Sequence, residues 1–143
     1  MEVRFSGDGS YYHLYHLVWI PKYRRKVLKD ELKQFIAERF FEITAYHPDV
    51  EIDTYNIQED HVHLVMVIPP KYAVSMIVGK MKSNSSRQAR AEFSWLGEMY
   101  RRHEFWSPGF FSSTVGVNEA QIKRYVELQE KVDKGQWQLS IGL

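Results

Sequence analysis

The order of strand-like and helix-like segments constrains the fold of this 143-residue chain more than any other feature. Strand alternation or strand-type composition occurs in residues 12–20, 51–57, 61–68 and 110–117. Apolar residues spaced three or four apart, which predict amphipathic helices, begin at Leu28 and again at Val74. Residues 90–108 show no sustained period and are predicted as a loop with a short helical turn. The order β-α-β-β-α-β predicts an α+β, ferredoxin-like or RRM-like domain with a four-stranded antiparallel sheet.

A further helix is predicted over residues 119–134. Asn118 is a suitable N-cap, and Gln121 follows it at the spacing of a capping box. Tyr125 and Gln129 are four residues apart, so they share one face of this helix. The same face carries the apolar residues Ile122, Val126 and Val132. We therefore expect Tyr125 and Gln129 to point inward; a buried tyrosine is often core packing, whereas a buried amide needs partners.

The composition is that of an ordinary globular domain, and residues 1–143 are interpreted as one domain whose residues 1–10 are flexible. The sequence has no cysteine, which excludes disulfides and thiolate chemistry and is typical of a reducing compartment, so we expect a cytoplasmic protein. The longest apolar stretch, residues 64–70, is too short to span a bilayer, and no membrane association is predicted. A net charge of +1 gives no general attraction to DNA, so DNA binding must depend on local patches.

Two histidines, His61 and His63, form the most informative chemical motif. Residues two apart in a strand share a face and lie roughly 6.6 Å apart along it, so both imidazoles can bind one metal ion. Such a pair alone is more often a packing feature than a site. If Gln129 joins them, three neutral ligands leave a divalent ion its full charge for a bound phosphate. That charge would favour the phenolate of Tyr125 and make it a nucleophile.

Several motifs in order resemble the single-tyrosine HUH transposases, the TnpA group, encoded by small insertion sequences that move as single-stranded DNA. The matching segments are residues 15–25 (YHLVWIPKYRR), 61–63 (HVH), 105–111 (FWSPGFF), 113–116 (STVG) and 122–129 (IKRYVELQ). The HUH triplet alone is a weak signal, and the succession of motifs makes the resemblance specific. It covers most of the chain, from about residue 12 to about residue 129.

This resemblance implies a metal-dependent single-strand endonuclease and strand transferase. His61, His63 and Gln129 would bind Mg²⁺ or Mn²⁺, one ion per active site, and Tyr125 would be the nucleophile. The family cuts single-stranded DNA at element ends, keeps a 5′-phosphotyrosine, frees a 3′-hydroxyl and rejoins strands without an added energy source. It also implies binding of subterminal DNA hairpins and a homodimer. The tyrosine helix of one chain can complete the metal site of the other, and the inward-facing helix agrees with a cis or a trans arrangement.

Two groups of basic residues are predicted to contact DNA. They are Lys22, Arg24 and Arg25 after the first strand, and Lys80, Lys82, Arg87 and Arg90 along the second helix. Surface cations are usually only solvated. Lys80 and Arg87, however, are two helical turns apart with Arg90 close to the same face, which forms a strip suited to phosphate contacts.

Other functions are compatible with parts of this pattern. A nonenzymatic RRM-like nucleic-acid-binding module needs aromatic residues in its central strands, where residues 61–68 read HVHLVMVI. A replication initiator or relaxase would share the histidines but usually has a longer chain. A domesticated HUH nuclease acting on repeat hairpins fits the sequence as well as a mobile transposase does.

Overall fold

An antiparallel sheet of four strands forms the centre of the fold. The structure is a computed structural model, and it describes residues 4–6, 9–11, 13–101 and 105–135. A separate antiparallel pair precedes it, formed by β1 (Arg4–Ser6) and β2 (Gly9–Tyr11). The strands of the sheet are β3 (Leu14–Trp19), β4 (Glu51–Gln58), β5 (His61–Val67) and β6 (Phe111–Ser113). They lie in the order β4-β5-β3-β6, which is the predicted ferredoxin-like arrangement.

The predicted helices are present, including the C-terminal one, and a separate short helix over residues 43–46 was not predicted. They are a 3₁₀ turn (Lys22–Arg24), α1 (Asp30–Phe41), α2 (Ile43–Tyr46), α3 (Val74–Glu92), α4 (Ser94–Met99) and α5 (Glu119–Asp133). The α+β fold class is therefore confirmed. No helix within the described residues is both long enough and apolar enough to cross a bilayer. The flexibility predicted for residues 1–10 concerns a segment that is only partly described, and it stays a prediction.

Two segments differ most from the prediction. The fourth strand covers three residues, Phe111–Ser113, rather than residues 110–117. It ends there because the Ser113 hydroxyl accepts a hydrogen bond from the Val115 amide and closes a local turn. The segment predicted as a loop over residues 90–108 contains the end of α3 and the whole of α4, while residues 102–104 lie outside the described residues.

The two faces of the sheet have different partners, and this difference creates the site. Leu17 and Leu64 are directly opposite each other and are fully buried in the core that α1 and α3 cover. Side chains alternate along a strand, so His16 and His63 lie on the other face. The buried Val126 of α5 packs against that face. This contact brings α5, the helix that carries Tyr125, over the histidines.

Buried serines of α3 attach the segment after α4 to this core. The hydroxyl of Ser85 accepts a hydrogen bond from the Trp106 indole nitrogen at 2.9 Å, and that of Ser86 accepts one from the Phe105 amide at 3.1 Å. Trp106 is 2% exposed, so water cannot replace a lost partner.

We expect Ser85→Ala to lower the free energy of unfolding by about 1–3 kcal/mol, because it leaves the buried indole N–H of Trp106 unpaired. Urea denaturation measures the change. Ser83→Ala, at an exposed position of the same helix, is the control and should have little effect. An equal loss in both variants would show that the Ser85 hydrogen bond does not stabilise the core.

Candidate active site

A cavity of about 560 Å³ lies between the histidine face of the sheet and α5. Its lining residues come from β4, β5, the 3₁₀ turn, α5 and the residues next to them. They are Arg24, Asn56, Gln58, Asp60, His61, His63, Val117, Glu119, Ile122, Lys123 and Val126. Both histidines of the HUH triplet therefore face one space that a ligand can enter.

His61 is held in a defined orientation by the residue before it. Its Nδ1 lies 2.9 Å from an Asp60 carboxylate oxygen, which leaves Nε2 for a ligand. The other Asp60 oxygen accepts a hydrogen bond from Arg24 Nε at 2.8 Å. The hydrogen bond from His61 and the contacts with Arg24 lower the pKa of Asp60 to about 2, against the effect of burial. Asp60 is therefore a carboxylate throughout the physiological range.

This depressed pKa predicts how stability depends on pH. The pKa of Asp60 falls from an ordinary 3.8 to about 2 in the folded chain, so the ionised form stabilises the fold by about 2 kcal/mol. That contribution is complete above about pH 4 and is lost as the pH falls towards 2. We expect Asp60→Asn to lower the unfolding free energy by about 2 kcal/mol at pH 7, and by progressively less below pH 4. Asp53→Asn, at an exposed position of β4, is the control in urea titrations. A deficit that does not change with pH would contradict this assignment.

His63 is a neutral imidazole at neutral pH. Burial lowers its pKa, and the neighbouring His16 and His61 lower it further. Its Nε2 lies 3.3 Å from Nδ1 of His16. A neutral imidazole keeps a lone pair on one ring nitrogen and can therefore bind a metal ion.

Tyr125 lies on α5, beside the cavity rather than in its lining. Its ring packs on Phe111 with the ring centroids 5.9 Å apart. Its hydroxyl is buried and has no hydrogen-bond partner among the described residues. Burial raises the pKa of Tyr125 above its ordinary value, and the nearby Asp133 raises it further. The phenol is thus protonated at neutral pH and lacks the partner that a buried hydroxyl normally has.

Gln129 is not brought together with the histidines. It is half-buried, as predicted, but its amide nitrogen donates to Asp133 at 3.3 Å and its side chain does not line the cavity. Asp133 also accepts hydrogen bonds from the Tyr23 amide at 3.0 Å and the Ser107 hydroxyl at 2.9 Å. The assignments of Tyr125 as nucleophile and of Gln129 as metal ligand stay predictions.

The two imidazoles at the cavity are donors of a type that binds metal ions. Within the described ranges no group of three or more His, Cys, Asp or Glu side chains converges on one point, so the two imidazoles need a further donor of another kind. A glutamine amide oxygen or a substrate phosphate oxygen has the required chemistry. The Tyr125 ring packs on Phe111, which shares a face of the sheet with His63.

The predicted basic residues of α3 lie away from the histidine cavity. Lys80 and Arg87 line a second cavity of about 540 Å³ in the helix layer, together with Arg39 of α1. Lys82 instead donates to the backbone oxygens of residues 107 and 109 at 2.7 and 2.6 Å, and Arg90 donates to the Ser86 carbonyl. Because α3 covers the other face of the sheet, this cavity and the histidines are on opposite sides.

The basic residues after β3 are held by neighbouring side chains. The Arg25 guanidinium lies over the rings of Tyr23 and Tyr100, at 5.2 and 5.1 Å from their centroids. Lys22 lies over the Tyr23 ring as well. Arg24 forms ion pairs with the carboxylates of Asp60 and Glu130. Nothing in these contacts tests the prediction that the three residues bind DNA.

Comparison with known proteins identifies the class of protein as a transposase, an enzyme that cleaves DNA and transfers its strands. The chain belongs to the IS200-like transposase family, whose model, described as "Transposase IS200 like", matches residues 10–129.

Named relatives support this membership. The chain is 36% identical over 127 residues to the transposase for insertion sequence element IS200 of Salmonella typhimurium, covering 89% of this chain and 83% of the relative. It is 34% identical over 126 residues to the ISDra2 transposase TnpA of Deinococcus radiodurans, covering 87% of this chain and 89% of the relative.

Solved structures show the same fold. A crystal structure from Deinococcus radiodurans, of a protein described as a candidate transposase, matches with a TM-score of 0.76 and 28% identity, covering 90% of this chain and 98% of that chain. The REP-associated tyrosine transposase bound to a REP hairpin matches with a TM-score of 0.55 and 15% identity, covering 87% and 69%. At that identity the second likeness concerns the fold alone.

Proposed function

We propose that this transposase cleaves and rejoins single-stranded DNA at insertion-sequence ends through a 5′-phosphotyrosine on Tyr125. The observation that carries the proposal is the buried Tyr125 hydroxyl, which has no hydrogen-bond partner among the described residues and lies on the helix beside the histidine cavity. A hydroxyl in that state has no structural hydrogen bond to lose when it reacts. The relatives named above are insertion-sequence transposases, which favours this function over a domesticated nuclease or a nonenzymatic RRM-like module.

In this proposal His61 and His63 hold one Mg²⁺ or Mn²⁺ ion, with Gln129 as a further ligand. The bound ion supplies positive charge that stabilises the phosphate in the transition state. Asp60 keeps His61 in the orientation that presents Nε2 to the cavity, and the neutral His63 offers its lone pair. Gln129 must turn its amide from Asp133 to take part.

The proposed reaction exchanges one ester for another. The Tyr125 oxygen forms a bond to the scissile phosphorus and gives up its proton, while the bond from phosphorus to the 3′ oxygen breaks. The leaving 3′ oxygen takes up a proton, so the products are a 5′-phosphotyrosine and a free 3′-hydroxyl. Attack of a 3′-hydroxyl on the phosphotyrosine reverses these steps and joins strands without an added energy source. The raised pKa of Tyr125 means that the phenol becomes a nucleophile only when substrate and cation are in place.

We further propose that the enzyme recognises DNA hairpins through the cavity lined by Lys80 and Arg87. The REP-associated tyrosine transposase, which has the same fold, was solved bound to a REP hairpin. Both side chains are exposed and can contact phosphates, whereas the third cation of the cavity, Arg39, is paired with Glu42 in the same lining. Hairpin binding would then occur on one side of the sheet and cleavage on the other.

The double variant Lys80→Ala, Arg87→Ala is expected to bind the hairpin more weakly and with a salt dependence reduced by about two in log–log slope, because two phosphate contacts are lost. Fluorescence anisotropy at several salt concentrations measures both quantities. Lys33→Ala with Lys71→Ala, two exposed lysines outside the cavity, is the charge-matched control. An unchanged slope in the first variant would rule out this surface as the hairpin site.

We also propose that the enzyme acts as a homodimer, as the family resemblance implies. In the single chain, α5 covers the histidines of its own sheet, which corresponds to the cis arrangement. A trans arrangement would use the same residues from two chains.

The decisive experiment uses the DNA that flanks the gene. Labelled single strands from both flanks are incubated with the protein and Mg²⁺ or Mn²⁺, then separated on a denaturing gel. We expect a labelled adduct of protein and DNA with strands that contain an imperfect palindrome near the element end. Absence of an adduct with every flanking strand would overturn the proposal, while palindromes at only scattered repeats would favour the domesticated alternative.

A further inference from the structure

Arg24 connects two parts of the active site that are far apart in sequence. Its Nε donates to Asp60 at 2.8 Å, and its Nη1 donates to Glu130 of α5 at 3.1 Å. Asp60 in turn contacts His61 Nδ1 through its other oxygen at 2.9 Å. A continuous chain of contacts therefore runs from the tyrosine helix through the guanidinium and a carboxylate to the first histidine of the HUH triplet.

The backbone around Arg24 is held in an unusual conformation. Tyr23 and Arg24 both have positive φ, at 64° and 54°, in the left-handed region that non-glycine residues seldom occupy. Such strain persists where the surrounding structure requires it. The Tyr23 amide donates to Asp133 at 3.0 Å, so the same strained turn binds α5 through its backbone and through a side chain. Two neighbouring residues thus both fix the position of the tyrosine helix.

The guanidinium of Arg24 is already paired within the chain. Its side chain is 27% exposed, and both of its ion-pair partners are less exposed than a typical surface residue, at 16% for Asp60 and 28% for Glu130. The neighbouring Arg25 donates to the backbone carbonyl of Met99 and lies over the rings of Tyr23 and Tyr100. Arg25 therefore has the same charge and the same location without the two carboxylates.

We propose that Arg24 is a positioning residue that makes the placement of α5 and the orientation of His61 depend on each other. This inference rests on the proposed function for its catalytic meaning, because α5 carries Tyr125 and His61 is an expected metal ligand. The guanidinium can serve both carboxylates at once because its donors form a fixed planar fork. A lysine has a single ammonium group and cannot span them in the same way.

The test measures the two ends of the chain of contacts in the full-length protein without DNA or metal. Hydrogen–deuterium exchange reports the protection of α5, and ¹⁵N NMR reports which ring nitrogen of His61 carries the proton. We expect Arg24→Met to increase exchange in α5 at least 10-fold and to change the His61 ring signals. Arg24→Lys should recover only part of either effect, and Arg25→Met should leave both near wild type.

A comparison of single variants at the two ends of the Arg24–Glu130 ion pair separates coupling from simple anchoring. Glu130→Gln removes the helix partner of Arg24 together with the ion pair that Glu130 forms with Lys134. We expect it to loosen α5 and to change the His61 ring signals through Arg24, whereas Lys134→Met should leave the His61 ring signals near wild type. If Arg24→Met loosens α5 but leaves His61 unchanged, Arg24 only anchors the helix and the coupling is disproved. If neither end responds and the hairpin salt slope falls by about one, Arg24 is a DNA contact instead.

These readouts need neither cleavage nor a bound ion. A wild-type protein that forms no DNA adduct would overturn the proposed function and leave the coupling measurement intact. Tyr125→Phe is the reciprocal control, because it should remove the adduct without changing the His61 ring signals.

Discussion

Tyr125→Phe is expected to abolish the covalent adduct between protein and single-stranded DNA, with strand cleavage reduced at least 10³-fold, since loss of a nucleophile costs up to about 10⁶ in rate. The phenylalanine ring keeps the packing on Phe111. Within the part of the chain that the structure describes, the removed hydroxyl is buried and unpartnered, so its loss should leave the free energy of unfolding unchanged or raise it by up to about 1 kcal/mol. Cleavage and stability are thus expected to change in opposite directions, which excludes misfolding as the cause.

The measurement is a denaturing gel of labelled adduct, followed by urea denaturation of the same variant. The sequence has nine tyrosines, so the control must show that position matters. Tyr55→Phe, half-exposed on the edge strand β4, should form wild-type amounts of adduct. A peptide map that places the DNA on any other tyrosine would reject Tyr125 as the nucleophile.

A mixture of Tyr125→Phe and His61→Ala chains reports how the site is assembled. If the tyrosine helix of one chain serves the histidines of another, mixed dimers regain one intact site and some adduct returns. If each chain uses its own α5, as in the arrangement described here, the mixture stays inactive. Either result leaves the roles of the two residues in place.

Local sequence signals predicted the elements that position the site. Strand alternation placed His61 and His63 on one face, and the cavity confirms that they face the same space. The capping box at the start of α5 is present: the side-chain oxygens of Asn118 and Gln121 each accept a hydrogen bond from the backbone N–H of the other residue. These signals succeed because they depend on residues two to four apart, where the period of the backbone decides which side chains meet.

Long-range polar contacts could not be predicted in this way. The partners of Arg24 are 36 and 106 residues away, and no periodic pattern relates them. Arg24 was therefore predicted only as one of a group of basic residues that contact DNA. Val132 shows the same limit, because it was expected in the apolar stripe of α5 and is 40% exposed. The last turn of α5 is held instead by Asp133, through the Tyr23 amide and the Ser107 hydroxyl.

His61→Ala and His63→Ala are each expected to reduce single-strand cleavage at least 100-fold, because each removes an expected metal ligand. Binding of Mn²⁺, followed by electron paramagnetic resonance, should weaken in parallel. His13→Ala is the control, since this half-buried histidine lies outside the cavity lining. Full cleavage by either HUH variant in chelated, metal-depleted buffer would contradict the metal role.

Measuring hairpin affinity in the same variants separates loss of the metal site from loss of DNA binding. The histidines and the cavity with Lys80 and Arg87 lie on opposite sides of the sheet, so loss of an imidazole should not alter hairpin binding or its salt slope. The lysine and arginine variants should show the reverse, with weaker hairpin binding and an intact Mn²⁺ site. A histidine variant that loses both activities would mean that one surface serves both steps. The division of binding and cleavage between the two faces of the sheet would then be wrong.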